Sequence, residues 1–180
     1  MKPRNPARLM QRGPELIAPA GLRLIAGSLL AAVLLSLLPW PRAGLWLVPE
    51  FPLMVLLYWN THEPRRTPLR LAFGLGLLAD VGHGVLFGIH ALAYLAASFL
   101  ALMVQRRLAN FGPYGQALQL APIFLGMKLL IVLLGLAMTQ GVADWRQLAG
   151  GLVAALLWLP MCLLLNRLAG RPDEPPSPGS

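Results

Sequence analysis

Residues 74–95 read GLGLLADVGHGVLFGIHALAYL. The run is apolar enough to lie in lipid, yet it holds Asp80, His83, His90 and five glycines. It sits inside a longer, weakly charged stretch, 69–105. A single helix over that stretch would be about 55 Å long at ~1.5 Å per residue, against a hydrocarbon core of about 30 Å. Two shorter passes fit better, and DVGHG (80–84) is the segment with turn chemistry.

Charge bias supports the hairpin. With six spans and alternating loops, one side holds Lys2, Arg4, Arg8, Arg12, Arg23, Arg65, Arg66, Arg70, Arg106, Arg107, Arg167 and Arg171. The other side holds only Arg42 and Arg146, and Lys128 falls inside a span. This is the positive-inside pattern with both termini cytoplasmic. A single pass over 69–105 would put Arg65/Arg66 and Arg106/Arg107 on opposite faces and destroy the bias.

Bulk composition agrees. Of 180 residues, 57% are hydrophobic and 12% charged, with a mean hydropathy of +0.63. A water-facing globule of this size cannot hide so much apolar surface. The net charge of +8 would suggest nucleic acid in a soluble chain, but here the basic residues lie between apolar runs and act as topology signals, so no nucleic-acid partner is expected. Cys162 is the one cysteine, which excludes an internal disulfide and a thiolate metal cage. The first apolar run has no small-residue cleavage site after it and reads as a retained helix.

The expected fold is an all-α polytopic membrane protein. A cytoplasmic tail (1–21) precedes a six-helix membrane domain (22–168), and a Pro/Ser/Gly-rich tail (169–180) is expected to be disordered. The spans fall at about 22–39, 45–59, 68–82, 84–104, 117–138 and 148–168. Pro49 and Pro52 each remove a backbone donor, so the start of the second span is expected to be irregular.

Several residues stand out. Asp80 falls at the outer end of the hairpin, either as a cap for the amides that begin span four or as a contact to a partner or ligand. Gly76, Asp80, Gly84 and Gly88 are spaced by fours, and Gly84 and Gly88 are expected on one face of span four for internal packing, the alternative being a dimer or partner face. Asp80, His83 and His90 do not share one face by spacing and include no pair of histidines at i and i+4. The two histidines read as packing or interfacial residues, and no metal or other cofactor is expected. Glu50 is expected at headgroup level and hydrated, the alternative being a cavity or partner contact. Tyr58 and Trp59 at the inner end of span two, and Trp40 and Trp46 near the outer loop, suit aromatic belts. Lys128 is the deepest charge, roughly eleven residues from either end of span five. It is expected to face the bundle interior, pairing with Asp80 or Glu50, or to face a partner; snorkelling is the alternative, but the side chain spans only part of that depth. A Ser98–Lys128 dyad lacks a nucleophile turn or oxyanion feature, and no catalytic residue is expected.

Two ordered blocks carry a resemblance. LLPWPRAGLWLVPEFPLMVLLYWNTHEPRR has a Pro-Trp-Pro loop, a span ending in Tyr58-Trp59 and a basic loop; FGLGLLADVGHGVLFGIHALAYL follows with Asp80 and Gly84-x-x-x-Gly88. Over about residues 34–100 the chain resembles the MreD family of bacterial rod shape-determining proteins; the last two spans match in hydropathy and position alone. The resemblance implies a multi-pass inner-membrane protein with a bundle similar to the S-components of energy-coupling-factor transporters. It implies a non-enzymatic role in organising lateral peptidoglycan synthesis, with MreC as direct partner and MreB, RodA and its transpeptidase in the wider complex. The alternative is a module that binds a small molecule or lipid within the bundle. Lys128 lies outside the resemblance.

Overall fold

The computed structural model describes residues 20–85, 88–108, 111–139 and 144–171. Most of the expected terminal tails lies outside them. Six α-helices and no strands are present among the described residues: α1 (Leu22–Ser36), α2 (Phe51–His62), α3 (Leu69–His83), α4 (Ile89–Leu108), α5 (Pro113–Thr139) and α6 (Leu148–Ala169). Short 3-10 turns at Arg42–Leu47 and Trp145–Gln147 precede α2 and α6. Helices α4, α5 and the α6 segment from Trp145 are long and apolar enough to cross a membrane. Helices α1, α2 and α3 are shorter, at 15, 12 and 15 residues.

The two prolines shape the start of α2. Val48 is extended and Glu50 lies outside the helix; Pro52 occupies its first turn, where a missing N–H costs nothing. The helix therefore begins at Phe51 rather than near residue 45. Every residue from Pro52 to Thr61 is buried, so α2 is the central rod. Helix α1 packs on α2, and α2 packs on α4 and touches α3 and α6. Helix α4 lies between α3 and α5, and α5 pairs with α6. The outward faces carry exposed leucines, among them Leu30, Leu34, Leu118, Leu133, Leu156 and Leu164. Such apolar surface suits lipid contact.

Tyr58 and Trp59 are fully buried, so neither stands in a lipid-facing belt. Their polar atoms tie helices together: Tyr58 donates to Asn166 Oδ1 at 2.7 Å, and the Trp59 indole donates to Ser28 Oγ at 2.9 Å. A buried aromatic ring with a polar tip requires such a partner. Beside them, Glu63 accepts from the Ala20 amide at 3.0 Å and from Arg171 at 2.6 Å, while Arg66 donates to the Ala20 carbonyl at 2.6 Å. One carboxylate thus holds the start of α1 and the end of α6.

The expected hairpin between 69 and 105 is present, but its turn begins only at the last residue of DVGHG. Helix α3 continues to His83, and Gly84 ends it in the left-handed region at φ 63°. The amides of Gly84 and Val85 bond back to the carbonyls of Val81 and Asp80. Gly88 follows at φ 107°, directly before α4. Gly84 and Gly88 therefore serve the turn and do not form a packing face of span four. Gly76 provides the close helix approach instead: a Cβ there would collide with the backbone of Ala91 and the carbonyl of His90.

This contact yields a matched test. Gly76→Ala is expected to destabilise the bundle by about 1–3 kcal/mol through overpacking. Gly74→Ala, on an exposed position with no atom within 4 Å of the added Cβ, is expected to be neutral or slightly stabilising. Thermal unfolding of both variants in detergent checks this, and equal midpoints would refute the close-approach role of Gly76.

Candidate functional site

The site is a chain of polar groups buried at the end of the bundle where α3 stops and α4 begins. It starts at Asp80, which is fully buried on the last turn of α3. Its Oδ2 accepts from the Gly88 amide at 2.8 Å and the Ala91 amide at 3.4 Å. Its Oδ1 accepts from the His90 amide at 2.8 Å and lies 2.9 Å from His90 Nδ1. A helix start leaves its first amides without intrahelical partners and carries partial positive charge. Asp80 supplies both needs of α4 from the preceding helix, and so matches the cap reading of the sequence.

The Asp80 bond fixes the imidazole of His90, since a carboxylate accepts and Nδ1 must then donate. The other ring nitrogen, Nε2, points towards Glu50 Oε1 at 3.9 Å. The His83 ring stacks on His90 with centroids 4.8 Å apart and planes 5° apart. Nδ1 of His83 bonds to the Ala79 carbonyl one turn back, at 2.8 Å.

Glu50 is the centre of the chain. The prolines around it keep it outside α2 yet pressed against the bundle, and it is only 5% exposed. Its Oε1 accepts from Lys128 Nζ at 2.7 Å, and its Oε2 accepts from the Tyr94 hydroxyl at 2.8 Å. Glu50 is therefore a buried, cleft-lining residue rather than one hydrated at the surface. The buried pair joins the start of α2 to the middle of α5, and Tyr94 adds α4.

Lys128 takes the interior, acid-paired position expected of it, with Glu50 rather than Asp80 as the partner. Asp80, Glu50 and Lys128 thus belong to one connected cluster, whereas Tyr58 and Trp59 lie further along α2, and Gly84 and Gly88 shape the turn. The sequence reading passed over Tyr94 and the bridging place of His90. The signal was present: His90 and Tyr94 are separated by four, which puts two polar side chains on one face of an apolar helix.

The cluster opens onto a cleft of about 830 Å³. Leu37, Trp40, Trp46 and Leu136 line its apolar part, and Glu50 and Lys128 its polar part. Gly150 admits the loop that forms one wall, because a Cβ there would meet the carbonyls of Trp46 and Val48 at 3.1 and 3.2 Å.

Two variants probe the cluster. Lys128→Met leaves a buried carboxylate without its countercharge and is expected to cost about 3–5 kcal/mol of stability; adding Glu50→Gln should recover much of that loss in a double-mutant cycle. Asp80→Ala removes the cap of α4 and is expected to lower the unfolding midpoint more than His83→Ala, which removes one exposed local bond. Equal midpoints would count against the capping role.

Comparison with known proteins places the chain in a family. Residues 21–168, from the start of α1 into the last turn of α6, match the family described as rod shape-determining protein MreD. The rod shape-determining protein MreD of Haemophilus influenzae is 28% identical over 137 residues, which is 76% of this chain and 85% of that protein. No solved structure matches the chain. The family match runs through all six helices, and the chain belongs to the MreD family of rod shape-determining proteins.

Proposed function

We propose that the protein is a non-enzymatic scaffold of the bacterial inner membrane that serves rod shape by organising lateral peptidoglycan synthesis. The observation that carries this reading is the match of residues 21–168 to the family of rod shape-determining proteins. In this reading the chain crosses the membrane six times with both termini in the cytoplasm. Support comes from the twelve-to-two distribution of basic residues over alternate loops. Support also comes from the contacts of Arg66 and Arg171 with Glu63 and Ala20, which gather the basic end. The short helices α2 and α3 span in combination with their flanking segments: α2 alone is roughly 18 Å long at ~1.5 Å per residue, and the extended and 3-10 segment before it makes up the depth.

The direct partner in this proposal is MreC, and MreB, RodA and its transpeptidase belong to the wider complex. The exposed leucine faces give such partners, and membrane lipid, an apolar surface to meet. A second reading rests on the cleft. Its size and its lining by Trp40, Trp46, Glu50 and Lys128 suit a module that holds a small molecule or lipid, in the manner of the S-components. Native mass spectrometry separates the two: a retained ligand lost in Lys128→Met supports the second reading.

Depletion tests the main one. On depletion in the host, cells are expected to lose rod shape and lateral wall insertion, and the purified protein is expected to retain MreC. Persisting rod shape would sink the proposal.

A further inference from the structure

We propose that Glu50, His83 and His90 form a binding site for a divalent ion of the zinc class. The inference goes beyond the scaffold reading and does not rest on it. Each of the three residues offers one ligand atom, and these atoms lie within 4.8 Å of one another. They come from three different segments: the residue before α2, the end of α3 and the start of α4. The spacing along the chain conceals the set, because Asp80 is the acid nearest to the histidines in sequence while Glu50 is the one that shares their donor geometry.

The hydrogen bonds prepare both rings for this role. Nδ1 of His90 donates to Asp80, and Nδ1 of His83 donates to the Ala79 carbonyl. A carbonyl or carboxylate only accepts, so each neutral ring keeps its lone pair on Nε2. A carboxylate or backbone carbonyl behind a ligating imidazole is the arrangement that orients histidine towards a metal. Asp80 is itself fixed by three amides, so its hold on His90 is rigid. Two imidazole nitrogens and one carboxylate oxygen favour zinc and neighbouring transition ions over calcium or magnesium, which take oxygen ligands.

Charge points the same way. The cluster buries two carboxylates, Glu50 and Asp80, with one ammonium, Lys128. With neutral imidazoles it holds one uncompensated negative charge in a low-dielectric interior, which is costly. A divalent ion reverses that balance and leaves one positive charge. That charge suits an anionic fourth ligand, and both histidines and Glu50 line the cleft from which such a ligand would come. Ligand atoms around tetrahedral zinc are about 3.3 Å apart. The closure required is on the order of 1 Å together with a turn of the His83 ring out of its parallel stack on His90, and His83, which is exposed, has the freedom to provide both.

Zinc binding by the full-length protein tests the site. The chain is purified in detergent with an affinity tag that contains no histidine, stripped with a chelator, and titrated with Zn²⁺ against a chromophoric competitor. About one zinc per chain is expected, with a higher thermal unfolding midpoint when it is bound. Replacement by Co²⁺ is expected to give the visible absorption of a tetrahedral nitrogen–oxygen site. His83→Ala is expected to lower zinc affinity by at least ~10-fold while the metal-free midpoint stays near that of the unsubstituted protein. His62→Ala, with its ring at the far end of α2, should bind zinc normally. The proposal is overturned if the unsubstituted chain holds no zinc, as it would if a proton on His90 alone balanced the charge. It is equally overturned if His83→Ala binds zinc as tightly as the unsubstituted chain.

Discussion

Glu50 and Lys128 are 2.7 Å apart inside an apolar bundle, at 5% and 7% exposure. Removing two charges from solvent costs several kcal/mol each, and their attraction offsets this only when geometry and further hydrogen bonds are good. The rest of the site reads as the means of meeting that condition. Tyr94 occupies the second carboxylate oxygen, and His90 lies against the first. Asp80 orients His90 and in the same stroke caps α4. Pro49 and Pro52 set Glu50 just outside α2, where its side chain reaches α5. One pair therefore depends on four helices, and the relative placement of those helices depends on the pair.

The fold was largely legible in the sequence because lipid imposes a length limit and arginines mark the loops. Both constraints act on segments, and segments are what hydropathy resolves. The hairpin at 69–105 followed from them, and the interior pairing of Lys128 from the cost of a charge deep inside a span. Finer features did not. The turn lies four residues later than its composition suggested, because Asp80 is spent on capping α4 across the gap and Gly84, not Asp80, breaks α3. Tyr58 and Trp59 look like belt residues by type and position. Nothing local says that Asn166 and Ser28, 108 and 31 residues away in sequence, await their polar tips.

The same limit explains the reading of Glu50. A glutamate between prolines near a span's end resembles a hydrated headgroup residue when only its neighbours in sequence are considered. Its burial is a property of α4 and α5, which supply Tyr94 and Lys128 from 44 and 78 residues further on. Long-range polar partners are invisible to periodicity. The trace they leave is a polar residue that the apolar run has no local reason to carry, and His90, Tyr94 and Lys128 are all of this kind.

At the other end of the bundle, Glu63 grips the backbone of Ala20 and the side chain of Arg171 together. The guanidinium of Arg171 also lies 5.9 Å from the centre of the Trp59 ring. The helical domain is thereby closed into a ring, with the two ends of its chain meeting at one acid on the α2–α3 connection.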